Sequence, residues 1–365
     1  MKITYVDKYK DFLGLEKIWN GTLQKCENSS IFSTWEWLTL WWKYFGIDKE
    51  LVLLLAENNG KIIGIAPLMY SVNKLFGLRI KKIEFIGTSA SDYGDFILAE
   101  KSEECVKLFI DYLASIPEKW DLIELTNIPG TTISLSLLKK ISGSAKFAHE
   151  RVIYECPYIP LPRSLAAFTN GLSSKRRKTL RRSMRQLEKD FKVDFVDCSK
   201  TQALDQQMNV FFELHQRRCK AKGLEGKFSD QTLRKFHMDV ERSFSEKSWL
   251  GLFLLRLADD PVAALYGFKY QSKFYYYLSG WDPRYSKYSI ASLLIAHVIS
   301  NCIQEGLAEF DFLRGAEEYK NQWNTVTRWN HQVVLTKNGF LATLQDSAYT
   351  TYWSFGSKLK HLLSR

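Results

Sequence analysis

Phe274-Tyr275-Tyr276-Tyr277-Leu278-Ser279-Gly280-Trp281-Asp282-Pro283-Arg284-Tyr285-Ser286-Lys287-Tyr288-Ser289 is the stretch that decides the fold class. Its aromatic first half suits a pleated, half-buried strand. Asp282-Pro283 ends that strand, because proline cannot donate to a ladder. After a short turn, apolar residues at 290, 293, 294, 298 and 299 recur at helical spacing, and Gly306 stops the helix begun near Ser289. A helix start leaves backbone N–H groups unpaired and partly positive. Ser286, Ser289, Ala291 and Ser292 are small enough for close backbone approach, so the turn suits a pyrophosphate. A plainly capped helix fits the same pattern.

Just beyond, Phe310-Asp311-Phe312-Leu313-Arg314-Gly315 places a carboxylate in an apolar strand, where it needs a partner or a task. Arg314, Glu318 and Lys320 follow the strand end, a usual place for chemistry in α/β proteins. An internal Asp–Arg ion pair would also explain Asp311.

Outward from this block, strand-like runs occur at 249–258, 262–270, 192–196 and 331–337, and again at 51–57, 61–72, 80–87 and 122–125. Strands mixed with helices in two similar halves of a 365-residue chain predict two α/β (α+β) units. Pro157-Tyr158-Ile159-Pro160-Leu161-Pro162 interrupts both helix and central strand and marks the boundary. The expected division is 1–160, 161–338 and a C-terminal helical segment 339–365, amphipathic over Phe340–Leu363.

The net charge is +11, and nine basic against two acidic residues fall between Lys175 and Lys192. Leu180, Met184, Leu187 and Phe191 form one helical stripe there, with Ser173 or Ser174 as N-cap. One face docks and the other carries cations. That face is a solvated surface, a phosphate-binding surface for a cofactor or RNA, or a contact to an anionic membrane. No DNA-recognition motif accompanies it, so specific DNA binding is not expected.

The six cysteines include no Cys-x-x-Cys pair, which predicts free thiols and no metal site. No apolar run approaches a membrane span and no leader is visible at Met1, so a cytoplasmic protein is expected, peripheral at the inner membrane face if the cationic helix meets lipid. In Glu213-Leu214-His215-Gln216-Arg217-Arg218 and Phe236-His237, each histidine reads either as an acid/base or as a hydrogen-bonded structural residue.

Together these blocks resemble the GNAT-fold acyltransferases of the FemAB/CelD-like branch. The pattern runs from Ser91-Asp92-Tyr93-Gly94-Asp95 through Leu214-His215, Arg217, Gly223, Phe228 and Phe236-His237. It continues with Gly280-Trp281-Asp282-Pro283, Tyr288-Ser289 and Leu293-Leu294, then Gly306, Asp311–Gly315, Glu318-Tyr319-Lys320 and Trp323. The resemblance implies two tandem GNAT-like domains, the second carrying an acyl-donor site. Where the family has Gln/Arg-x-x-Gly-x-Gly/Ala, this chain has Ser286, Ser289 and Ala291.

The implied activity is transfer of an acyl group from acyl-CoA or acetyl-CoA to a primary amine, such as a sugar amine of envelope biosynthesis. Relatives of the FemAB type use aminoacyl-tRNA, which the cationic helix also suits, and a non-catalytic scaffold is a third possibility. The resemblance assigns the donor to Lys287, Tyr288, Ser289, Ile290, Ala291 and Ser292. It assigns chemistry to His215, Asp311, Arg314 and Lys320. It assigns the acceptor side to Asp92, Tyr93, Asp95, Arg217, His237, Trp281, Glu318, Tyr319 and Trp323.

Overall fold

The computed structural model describes residues 1–27, 29–75, 78–144, 148–199, 201 and 203–336. The helix expected over 340–363 lies outside these residues. Thirteen strands are described: β1 (Lys2–Val6), β2 (Glu50–Asn58), β3 (Lys61–Leu75), β4 (Leu78–Phe85), β5 (Ile97–Leu98), β6 (Leu122–Pro129), β7 (Ala148–Pro160), β8 (Val193–Asp197), β9 (Leu250–Leu257), β10 (Asp260–Tyr270), β11 (Lys273–Trp281), β12 (Glu309–Asp311) and β13 (Val326–Thr336). The chain forms two compact units, Met1–Tyr154 with Trp329–Arg365, and Glu155–Arg328. It leaves the first within β7 and returns to it within β13, so Trp329–Thr336 belong to the first unit.

The first unit orders its strands β1-β2-β3-β4-β6-β13, with β5 on β3. There β4 and β6 run parallel, and β1–β2, β2–β3, β3–β4 and β6–β13 antiparallel. Ala56, Ile63, Phe85, Phe109 and Leu125 are among the side chains that fill one core, and the Ser102–Ser115 helix supplies Cys105, Val106, Phe109 and Leu113.

The second unit orders its strands β12-β11-β10-β9-β8, with the end of β7 beside β12. Here β11 and β12 are the parallel pair. The Ile290–Gln304 helix buries Leu294, Val298 and Ile299 against Leu255, Leu265 and Phe274 on one face. The Leu204–Ala221 and Gln231–Glu246 helices cover the other, where Phe211 meets Tyr266 and His237 meets Tyr277. A Cβ on Gly280 would sit 2.2 Å from the His215 backbone nitrogen. Glycine there lets the helix backbone rest directly on β11.

The two units repeat one arrangement: a strand, a helix, and a second strand parallel to the first. In each, a left-handed residue opens the helix, Lys101 at φ 47° and Ser289 at φ 56°. In neither does a side chain cap that start. This is the mixed α/β architecture of two tandem GNAT-like units that the sequence predicts.

The proline-rich boundary segment behaves differently from its reading as a strand breaker. β7 runs through Pro157 to Pro160 and pairs with β12, Ile159 opposite Phe310. Proline lacks a donor but keeps its acceptor, and the Phe312 N–H donates to the Pro157 carbonyl at 3.0 Å. The cationic helix forms over Ser174–Asp190 with the Ser173 hydroxyl accepting from the Arg176 N–H at 3.2 Å. Leu187 is buried, and Leu180, Met184 and Phe191 pack against the core as their spacing predicts.

Candidate functional site

In the second unit the parallel strands part company. β11 and β12 pair only at Lys273–Glu309, Phe274–Phe310 and Tyr275–Asp311. From Tyr276 to Trp281 no described strand takes that edge of β11. On its other edge the register slips: Tyr266 faces Leu278 and Gly267 faces Tyr276, leaving Tyr277 as the extra residue of a bulge. A bulge bends the strand and sharpens its twist, here where β12 stops. A Cβ on Gly267 would lie 2.3 Å from the Tyr275 carbonyl oxygen, so the bulge needs that glycine.

The bent strand leads into the turn. Asp282, 3% exposed, accepts from the Arg284 N–H at 3.0 Å, the Arg284 guanidinium at 2.7 Å and Arg217 at 3.3 Å. Its hydrogen bonds from Arg284 are the main reason its carboxyl stays below the usual range. With the turn fixed, the Ser289 N–H bonds the Ser286 carbonyl at 3.0 Å, and the helix starts with no side-chain cap. The Ser292 N–H bonds the Ser289 carbonyl at 2.9 Å, which leaves the Ile290 and Ala291 N–H groups for an anion. Lys287 is exposed and Ser289, Ala291 and Ser292 are half-buried. Tyr288 and Ile290 point into the core instead, and the Tyr288 hydroxyl donates to Asp190 at 2.7 Å. What this segment offers a ligand is backbone N–H, one ammonium and small side chains.

Beside the open edge lies a polar group that the sequence reading passed over. Arg218 donates to the Ser279 carbonyl at 2.9 Å and its hydroxyl at 3.2 Å, and lies over the Trp281 ring at 4.8 Å. The Tyr276 hydroxyl donates to Ser279 Oγ at 2.6 Å. Tyr319 shares a hydrogen bond with Tyr276 and neighbours Arg218, while 36% of its surface is exposed. Burial of its hydroxyl, then Tyr276 and Glu317, push that phenol above its usual range. Trp281 and Tyr319 thus both neighbour Arg218, which also holds Ser279. The only signal for Arg218 was its place next to Arg217.

Asp311 and Lys320 serve the backbone after β12. Fully buried, Asp311 accepts from the Leu313 N–H at 2.8 Å and lies 4.0 Å from Arg328, the internal ion pair considered from sequence. Leu313 is in the left-handed region at φ 58°, a strained position that this bond supports. Lys320, 3% exposed, donates to the carbonyls of Leu313, Arg314 and Gly315 at 3.2, 3.0 and 3.1 Å and pairs with Glu317 at 2.8 Å. Arg314 is half-buried and Glu318 exposed. Trp323 is buried under the Arg176 guanidinium at 4.1 Å, and Arg217 pairs with Asp282 and Glu213.

Both histidines lie in the aromatic layer beneath the Leu204–Ala221 helix. His215, 2% exposed, sits beside Phe211, Phe228 and Cys219; burial, then Arg218 and Lys227, push it down to about 4. His237 meets Tyr266 and Tyr277 and is pushed down to about 3, chiefly by burial. Both rings are neutral near pH 7 and shielded from water, which favours packing over proton transfer.

In the first unit, Asp92 and Tyr93 are buried. The Asn330 side chain donates to the Asp92 carbonyl at 2.7 Å, and Tyr93 meets the edge of Phe32. Asp95 lines a cleft of the same unit. On the cationic helix, Arg176 donates to Gln322 and Arg177 to the carbonyls of Thr169, Asn170 and Leu172. Lys175, Lys178, Arg181, Arg182, Arg185, Lys189 and Lys192 remain exposed. No group of His, Cys, Asp and Glu able to hold a metal occurs among the described residues, and no described helix is long and apolar enough to cross a membrane.

Residues 174–321 match the model of an acetyltransferase (GNAT) domain family. No curated protein matches the chain in sequence. Among solved structures, FemX superposes with TM-score 0.67 at 11% identity, covering 94% of this chain and 99% of that one. The C-terminal domain of a putative lysylphosphatidylglycerol synthetase from Agrobacterium fabrum gives 0.57 at 12%, covering 94% and 96%. A tandem GNAT protein from the clavulanic acid biosynthesis pathway gives 0.52 at 8%, covering 91% and 98%. These likenesses are of fold.

Proposed function

We propose that this chain, a GNAT-fold acyltransferase with a FemAB-like tandem architecture, moves an acyl group from acyl-CoA to a primary amine in its second unit. The observation that carries this reading is the parting of β11 from β12 directly before an uncapped helix start. An extended donor fits such a gap, its phosphates on the N–H groups of Ile290 and Ala291 with the small side chains of Ser289 and Ser292 and the Lys287 ammonium beside them. Ser289 adopts the left-handed turn conformation that glycine provides in the family pattern. The acyl carbonyl would lie along the open edge of β11, where backbone N–H can stabilise an oxyanion.

The deprotonated amine attacks that carbonyl, the nitrogen's surplus proton passes to solvent, and the tetrahedral intermediate collapses with loss of the thiolate. Tyr319, kept protonated by its surroundings, is placed to give the leaving thiolate its proton, and Arg218 orients it through Tyr276 and Ser279. Asp311 and Lys320 act by holding the loop that carries Arg314 and Tyr319. Direct transfer needs no covalent enzyme intermediate.

A second donor, aminoacyl-tRNA, is favoured by the exposed cations of the Ser174–Asp190 helix, a polyanion-binding face that a small thioester would not require. The same face would allow peripheral attachment to an anionic membrane. Both donors share attack by an amine on an activated carbonyl. Incubation with radiolabelled acetyl-CoA, longer acyl-CoAs or aminoacyl-tRNA, over a panel of primary amines including hexosamines, tests the reading. Amine-dependent transfer from a CoA ester is expected. Transfer only from tRNA would replace the first donor by the second, and no transfer from either would make the chain a scaffold.

A further inference from the structure

A cleft of about 310 Å³ opens to solvent within the first unit, with Leu23, Phe96, Ile97 and Leu98 in its wall and the exposed Lys25, Glu27 and Ile133 at its mouth. Its volume is at the lower end for small-molecule sites. Asp95 lines it, and one carboxyl oxygen accepts from the Phe96 N–H at 2.8 Å. Among the described residues no lysine, arginine or histidine pairs with this carboxyl. Burial raises it to about 7, an effect that the nearby Ser134 and Thr132 hydroxyls and the Phe96 N–H only moderate. Ser29 Oγ, in a residue 7% exposed, lines the space without a hydrogen-bond partner, and Ser134, 1% exposed, sets its hydroxyl beside Asp95. Buried hydroxyls and carboxyls normally find partners. A half-buried acid with no internal counter-ion, beside the unpartnered Ser29 hydroxyl, is matched by a ligand that brings its own cation.

We infer that this cleft binds a small molecule bearing a primary ammonium next to hydroxyl groups, of the amino-sugar or amino-alcohol class, with Asp95 taking the ammonium and Ser29 and Ser134 the hydroxyls. The inference concerns the first unit alone and stands whether or not the second unit transfers acyl groups. The other titratable residues facing the cleft are Lys25, Cys26 and Glu27. Lys25 lies 3.8 Å from Glu100, and the Cys26 thiol is pushed up to about 11 by burial, so that thiol stays uncharged between pH 6 and 8. Ammonium binding to the ionised Asp95 therefore strengthens as pH rises through 7.

The test is isothermal titration of the intact protein with glucosamine and ethanolamine, using N-acetylglucosamine as the uncharged partner of the first. Saturable binding of glucosamine is expected, tighter at pH 8 than at pH 6, with N-acetylglucosamine at least roughly tenfold weaker. Asp95→Asn should weaken glucosamine by roughly ten- to a hundredfold, the effect of removing one charged hydrogen-bond partner, and Ser134→Ala by a few-fold. Circular dichroism checks that both variants fold. Absence of saturable binding, equal binding of N-acetylglucosamine, or unchanged glucosamine affinity in Asp95→Asn would each overturn the proposal. The last result would place the amine elsewhere and leave the acyltransferase reading intact.

Discussion

Replacing Lys320 by methionine separates a residue that holds the site from one that performs its chemistry. Methionine keeps the length of the side chain and removes the ammonium. Three carbonyls, of Leu313, Arg314 and Gly315, lose their donor, and Glu317 loses its partner. Hydrogen bonds to a charged group are each worth about 1.5–3 kcal/mol. Burying the ammonium costs several kcal/mol, which the substitution returns. Glu317 is 57% exposed and is resolvated by water at little cost. The balance is a loss of about 3 kcal/mol, or a melting temperature about 6–12 °C lower for a unit of this size. Urea unfolding followed by tryptophan fluorescence, fitted to two transitions because the chain has two units, reads that loss. Turnover by the fraction still folded should remain within about tenfold of the parent, since the ammonium is enclosed by its own loop. A stability change below about 1 kcal/mol together with abolished turnover would refute this reasoning and make Lys320 a group that touches substrate.

Tyr319→Phe should leave the fold intact and reduce kcat by about 100-fold or more, the usual scale for a lost proton donor, with KM nearly unchanged in steady-state assays. His215→Gln should keep turnover within a few-fold of the parent; loss of turnover with unchanged stability would restore a proton-transfer role. The units should respond oppositely to acid. His215 and His237 have folded pKa values depressed to about 4 and about 3, so the stability they confer is full above their unfolded value near 6.5 and is lost as pH falls below it. Asp95 is raised from 3.8 to about 7, so the unfolded state binds fewer protons between those values and first-unit stability falls as pH rises through that window. Three pH units correspond to at most about 4 kcal/mol, and Asp95→Asn should flatten the dependence in calorimetry. Replacing Arg181, Arg182 and Arg185 by glutamate should abolish binding of tRNA or anionic vesicles while sparing turnover with a CoA ester; unchanged binding would dissociate the helix from any polyanion.

Most of the second unit is legible in the chain because its signals are local. The strand at Lys273–Trp281, the helix ended by Gly306 and the docked stripe of Leu180, Met184, Leu187 and Phe191 each follow from spacing alone. Gly280 reads as one small residue in a strand, and only the helix lying across it explains why no side chain fits. β7 was hidden because its prolines suggest a break, whereas its pairing with β12 uses their carbonyls. Site chemistry is less legible, since a titratable residue does not announce its surroundings. His215 and His237 read equally as acid/bases or as structural residues until they are found among aromatic rings, and Lys320 reads as a group of the reaction cleft until its three carbonyls are seen. Arg218 and Ser279 are joined by proximity across 61 positions, which no local pattern encodes.

Hydrogen exchange across the intact protein, with and without saturating acetyl-CoA or a charged tRNA, reports most directly whether the donor lies on the turn and the open strand edge. Slowed exchange is expected at 287–293 and 276–281 with at least one donor, the CoA ester in the favoured reading. Binding of a donor that leaves both segments unprotected and slows exchange elsewhere would contradict the site described for the second unit.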